Sequence, residues 1–161
     1  MAAFFFRRRF LAGALLLTAI AGGSAYAAVV RQAQGASALP TVTTYRDPGC
    51  GCCILWVEHM RQAGFEVIVR NTPDMPSVRT RLGVAPHLQA CHTSVVGNYV
   101  VEGHVPADDV KRLLREQPDV RGIAVPGMPI GSPGMEQGPV KHAYSTLAFD
   151  EKGQTTVFER H

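Results

Sequence analysis

The spacing of apolar positions changes character several times along the chain, and each change marks an element. Thr41-Val42-Thr43-Thr44-Tyr45 is β-branched and aromatic, the composition of a strand, and Asp47-Pro48-Gly49 stops it. From Cys52 to Ala63 the apolar residues Cys53, Trp56, Val57, Met60 and Ala63 recur at helical spacing, and Gly64 ends the run. Phe65 to Val69 reads as a second strand, and Pro76 to Leu82 as a short helix with Val78 and Leu82 on one side. Thr93 to Val96 and Tyr99 to Glu102 flank Gly97-Asn98, a two-residue hairpin signal. Pro106 opens a further helix: proline suits its first turn, Asp108 and Asp109 complement its dipole, and Lys111, Arg112 and Arg115 follow. Residues 117–139 hold five of the eleven prolines and are expected to be irregular. A second hairpin follows, Tyr144 to Phe149 and Thr155 to Phe158, turning at Lys152-Gly153.

No internal repeat interrupts this order. A βαβ unit followed by ββα, with a C-terminal β-hairpin extension, predicts an α/β, thioredoxin-like domain over residues 40–161. Residues 28–39, with Gln32, Gln34, Gly35, Ala36 and Ser37, read as a flexible spacer ahead of it. Residues 1–27 have the three parts of an export signal: Arg7-Arg8-Arg9, an apolar run from Phe10 to Ala21, and the small-x-small site Ala25-Tyr26-Ala27. The apolar run is shorter than the roughly 20 residues of a permanent span, so no lasting membrane anchor is expected. Arg7-Arg8-Arg9-Phe10-Leu11 is close to a twin-arginine signal, with Phe6 where Ser or Thr is usual, so both that route and the general secretory route fit. The expected destination is a bacterial periplasm, an oxidising compartment.

Length and charge narrow the functions. The 161 residues allow one domain and a processed leader. The formal charge of +3 comes from the three leader arginines. Without them 13 basic residues face 13 acidic ones, which leaves no electrostatic footprint for nucleic acid or an anionic membrane surface. No Ser-His-Asp arrangement, phosphate-cradling glycine motif or paired catalytic carboxylate stands out, so hydrolase and nucleotide chemistry have no support.

The chemistry lies in the four cysteines. Cys50-Gly51-Cys52-Cys53 places a Cys-x-x-Cys pair, Cys50 and Cys53, between a strand and a helix start, where free backbone N–H groups favour thiolates. Cys52 departs from the thioredoxin redox motif, in which the second intervening residue is commonly proline. Cys91 precedes the strand at Thr93, and the expected topology carries it beside the Cys-x-x-Cys turn. Structural disulfides are one alternative, with pairs split between Cys50 or Cys53 and Cys91, because adjacent Cys52 and Cys53 bond to each other only with strain. Zinc sites usually use two well-separated cysteine pairs, and ferredoxin runs space their cysteines differently. Clustered thiolates suit Cu(I), which is soft and accepts low coordination, and can bridge more than one ion.

Other soft or borderline ligands surround this set. Met128 and Met135 bracket a Gly/Pro loop, and either offer thioethers to Cu(I) or pack as adaptable hydrophobes. Met60 is roughly 10 Å along the helix from Cys53 and belongs to the buried stripe. His92 is the leading histidine ligand because it adjoins Cys91. His104 sits at a strand-to-helix turn and equally suits a cap. His59 is expected on a solvated flank, His87 and His142 carry no distinguishing context, and His161 is expected to fray.

Four segments then occur in order: Asp47-Pro48-Gly49-Cys50-Gly51-Cys52-Cys53, Ala90-Cys91-His92-Thr93, Val101-Glu102-Gly103-His104-Val105-Pro106, and Gly127-Met128-Pro129 with Gly131-Ser132-Pro133-Gly134-Met135-Glu136. Together they resemble the CopG-type periplasmic metal-binding family encoded with bacterial copper and silver resistance genes, which is unrelated to the DNA-binding repressors sharing that name. The resemblance spans about residues 40–161. It implies a thioredoxin-like fold, copper association and a role in copper tolerance. The ligand role carries to Cys50, Cys52, Cys53 and Cys91; Met128, Met135, His92 and His104 match the family motifs as well.

Two functions from different classes follow. One is a periplasmic copper-binding protein holding Cu(I) on the four cysteines, with Cu(I)/Cu(II) interconversion as an extension and other periplasmic copper-resistance proteins as partners. The other is a thiol–disulfide oxidoreductase acting on proteins through Cys50 and Cys53.

Overall fold

The computed structural model describes residues 38–161, and Leu39–His161 form one compact unit. The expected leader and nearly all of the spacer lie outside the described residues. The elements are β1 (Val42–Arg46), α1 (Gly51–Gln62), β2 (Val67–Asn71), α2 (Met75–Leu82), a 3-10 turn (Pro86–Leu88), β3 (His92–Val96), β4 (Tyr99–Gly103), α3 (Ala107–Glu116), β5 (Gly122–Val125), β6 (Ser145–Phe149) and β7 (Thr155–Arg160). The chain is thus a mixed α/β protein with one seven-stranded sheet, ordered β2-β1-β3-β4-β5-β6-β7. The β1–β2 and β4–β5 pairs are parallel and the other neighbours antiparallel. Among the described residues no helix is long and apolar enough to cross a membrane.

Side-chain alternation along the central strands builds two cores. Val101, Ile123, Val125 and Ala148 face one side, where Trp56, Val57 and Met60 of α1 and Val110 and Leu113 of α3 cover them. Val100, Ala124 and Phe149 face the other side and meet Val84 and Leu88 after α2. Met60 is fully buried, as its place on the apolar stripe predicts.

Three sequence expectations need correction. Strand β5 lies inside the proline-rich stretch expected to be irregular. All four of its residues are buried, because it is covered on both faces, so it shows no polar alternation, and Pro118 and Pro126 sit just outside it. Pairing with both β4 and β6, it makes the last hairpin a continuation of the sheet. His161 is not frayed: its Nε2 lies 2.9 Å from Oδ2 of buried Asp109, and its ring stacks on Tyr144 at 4.8 Å. His59 is half-buried, and its Nε2 accepts a 3.0 Å hydrogen bond from the Ala107 N–H, one of the free donors at the start of α3.

Leu113 is fully buried between α3 and the sheet. Replacing it by alanine is expected to lower the unfolding free energy by about 2–5 kcal/mol, measured by urea denaturation.

Candidate metal centre

The centre forms where three chain segments meet at one end of the sheet. After β1, the Gly49 N–H donates to Asp47 Oδ1 at 2.7 Å and the Cys50 N–H to the Asp47 carbonyl at 3.0 Å, folding a tight turn. The buried Arg46 guanidinium closes it, donating to the carbonyls of Cys50 (2.5 Å) and Pro48 (3.3 Å). Cys50 therefore stands at the N-cap of α1, with Cys52 and Cys53 in the helix's first turn. The antiparallel register of β1 and β3 pairs Arg46 with His92, and this delivers Cys91 to the same place.

Cys50 and Cys53 are joined in a disulfide with Cα atoms 5.5 Å apart, while Cys52 and Cys91 are free thiols. Cys52 Sγ lies 3.6 Å from Cys50 Sγ and 3.7 Å from Cys91 Sγ, and Cys53 Sγ is 3.8 Å from the Cys91 carbonyl oxygen. All four sulfurs lie within 4.8 Å of one another. The one disulfide differs from the expected alternative of bonds reaching to Cys91; the three-residue spacing at the helix start is what brings Cys50 and Cys53 together.

Both predicted histidines are fully buried and converge on Cys91. His104 Nδ1 donates to the Pro133 carbonyl at 2.7 Å, which leaves Nε2 facing Cys91 Sγ at 2.9 Å. That fixes the neutral tautomer and corrects the capping alternative, since the side chain turns into the centre. His92 Nδ1 is 3.2 Å from Cys91 Sγ, whereas its buried Nε2 has no hydrogen-bond partner. The His92 ring lies between Trp56, at 4.5 Å, and His104, at 5.0 Å. Cys91, His92 and His104 thus form a second donor set within 4.8 Å, sharing one sulfur with the first.

Low polarity governs the charge state here. Burial, reinforced by neighbouring Cys52, pushes the Cys91 thiol up to about 12. Burial and then repulsion from His104, Arg79 and Arg46 hold His92 well below the usual imidazole range. His104 is lowered as well, mainly by burial, although its bond to Pro133 and nearby Glu136 counteract this. Without metal, the centre is therefore a neutral thiol beside two neutral imidazoles.

A buried ion pair holds the Cys91 segment. Glu102 is fully buried; its Oε1 accepts from Arg79 Nε (3.2 Å) and the Ala90 N–H (2.8 Å), and its Oε2 from Thr93 Oγ1 (2.6 Å). Arg79 also donates to the Ala90 carbonyl at 2.5 Å. Burial raises the Glu102 pKa, against the pull of Thr93, Ala90 and Arg79. The sequence reading missed Arg46, Arg79 and Glu102 as site residues. Arg46 and Glu102 carried a signal, each being a charge in a strand that is otherwise apolar or β-branched; Arg79, one of two arginines on α2, carried none.

Backbone contacts bring the Gly/Pro loop onto the centre. At Gly134 (φ +82°) a Cβ would sit 2.8 Å from the Trp56 nitrogen and 3.0 Å from the Cys52 carbonyl, so only glycine lets the loop press against α1. At Gly103 (φ +72°) a Cβ would meet Ala90 Cβ at 2.6 Å. Met128 is half-exposed on this loop and Met135 partly buried.

Two solved structures share this architecture: "Copper resistance protein copG- Form 1" and "Copper resistance protein copG- Form 2". Each is 43% identical to this chain with a TM-score of 0.73, and the alignment covers 76% of this chain and 98% of the solved one. The chain belongs to the CopG copper-resistance family. The family profile described as "Protein of unknown function, DUF411" matches residues 88–135, the part of the CopG fold that holds Cys91, His92, Glu102, His104 and the methionine loop. No curated protein sequence matches the chain.

Glu102→Ala strips the Arg79 partner and the anchor of Ala90 and Thr93 in one step. It is expected to cost about 3 kcal/mol of stability in chemical denaturation, with Glu102→Gln costing less because the amide oxygen still accepts.

Proposed function

We propose that the chain is an exported copper-binding protein of bacterial copper tolerance that holds Cu(I) on Cys50, Cys52, Cys53 and Cys91. The observation that carries this reading is the approach of Cys91 Sγ to 3.7 Å from Cys52 Sγ across 39 residues of sequence, which completes a four-sulfur set. Soft, closely spaced sulfurs are the donors a soft monovalent ion prefers. His92 and His104, neutral and aimed at the same sulfur, extend the set with imidazole donors. The unpaired buried Nε2 of His92 is a polar atom that a ligand would satisfy. Met128 and Met135 would add thioethers from the loop.

Full use of the sulfurs requires opening the Cys50–Cys53 disulfide, which takes two electrons and two protons from a dithiol donor. Binding then displaces thiol protons, Cys91's among them, so affinity for copper falls as pH falls. Bound copper would bring one-electron chemistry to a centre that already holds a two-electron dithiol couple; Cu(I)/Cu(II) interconversion is the redox extension of this reading.

The fold and the address fit. The β1–α1–β2 and β3–β4–α3 units, with strand order β2-β1-β3-β4, support a thioredoxin-like core that β5, β6 and β7 extend. The basic, apolar and small-residue pattern of residues 1–27 supports export to the periplasm, where other copper-resistance proteins would be its partners.

The Cys50–Cys53 disulfide itself favours a second reading, a thiol–disulfide oxidoreductase acting on periplasmic proteins. Anaerobic titration of the reduced protein against a competing Cu(I) chelator separates the two. Copper binding predicts tight uptake and a reduced copper-to-protein ratio in Cys91→Ser, without insulin reduction. The oxidoreductase predicts insulin reduction that survives Cys91→Ser, and absence of tight Cu(I) binding by the reduced protein would end the copper reading.

A further inference from the structure

Cys52 and Cys91 remain thiols although a disulfide lies beside them, and their sulfurs already touch at 3.7 Å. Each is fixed by a different part of the fold. Cys52 is set by the first turn of α1, and Cys91 by the β1–β3 register and by Glu102, which grips the flanking Ala90 and Thr93. Both side chains are partly exposed, so a small disulfide can reach them. A covalent S–S bond is about 2.05 Å, so the two sulfurs need to close by about 1.6 Å, a displacement within the swing of their side chains. The Cys50–Cys53 bond uses neither sulfur.

We propose that Cys52 and Cys91 are a second dithiol/disulfide couple, so that the centre stores four electrons in two separable steps. The oxidant is a disulfide compound, such as a low-molecular-weight disulfide or a protein disulfide. One thiol attacks it and one of its sulfurs leaves as a thiol; the second cysteine then displaces the other, again as a thiol. The chain gains one S–S bond and loses two hydrogens, and the oxidant loses one S–S bond and gains them.

This couple gives the centre a release step, which rests on the copper reading above. The fully reduced chain offers four sulfurs, the state with Cys50–Cys53 bonded offers two, and closure of Cys52–Cys91 leaves no thiolate. A disulfide compound is then an effector that empties the site, while copper leaves in the oxidation state in which it was held.

The test uses metal-free, fully reduced protein titrated with oxidised glutathione and read by intact mass and disulfide-mapped peptides. The expected product is four hydrogens lighter than the reduced chain, carries Cys50–Cys53 and Cys52–Cys91, and holds no glutathione. A Cys50→Ser/Cys53→Ser double variant should still lose two hydrogens through Cys52–Cys91, whereas Cys91→Ser should trap glutathione on Cys52. The proposal is overturned if the unmutated protein stops two hydrogens lighter, retains glutathione, or maps to Cys53–Cys91. In a second arm, protein loaded with Cu(I) should retain none after the same titration; unchanged retention overturns the release step. Failure of the reduced protein to take up Cu(I) at all would sink the copper reading and leave the mass result standing.

Discussion

The antiparallel register between β1 and β3 is the constraint on which the centre depends. It sets Arg46 opposite His92, so the strand that leads into the cysteine-bearing turn ends beside the strand that follows Cys91. A one-residue slip would turn every side chain of β3 to the opposite face of the sheet. Cys91 would then leave the α1 terminus and His92 would leave Trp56. The register is secured from both sides, by the buried Ser94–Thr44 hydrogen bond within the β1–β3 pair and by Glu102, reaching Thr93 from β4.

Around that register the protein holds a reactive group of sulfurs while turning its charged side chains onto backbone and onto one another. Buried polar atoms are costly unless paired, and most of them here are paired with backbone: Arg46 with two turn carbonyls, His104 with Pro133, Trp56 Nε1 with Val105, and Glu102 with Ala90. The fixed charges, Arg46, Arg79 and Glu102, are spent on holding backbone, so the donor atoms facing inward are sulfur and imidazole. That separation of tasks leaves the centre a donor set of sulfur and imidazole without a carboxylate among them.

Much of this was legible in the sequence, and the parts that were not have physical reasons. The first six strands and helices fall within a residue or two of their predicted places because each carries a single clear period or a turn signal, such as Asp47-Pro48-Gly49 or Gly97-Asn98. The four motifs named the family before any coordinate. Strand β5 was hidden because burial on both faces erases alternation, and the flanking prolines read as loop. The partners of His59, expected on a solvated flank, and of His161, expected to fray, are Ala107 and Asp109, 48 and 52 residues away, and no local pattern predicts them. The same holds for Arg79, which meets Glu102 only through the tertiary fold. The pairing of the cysteines stayed open in the sequence because spacing favours Cys50–Cys53 locally but does not show where the fold places Cys91.

Trp56 is the chain's single tryptophan, and its indole lies 4.5 Å from the ring of His92. The protein therefore carries an intrinsic optical gauge at the wall of the centre. Tyrosines emit at shorter wavelength, so its indole emission has one source, fully shielded from water, whose brightness depends on the charge and electronic state of the imidazole beside it. Events among the sulfurs reach that gauge through His92 and along α1, which also carries Cys52 and Cys53, without a dye or label.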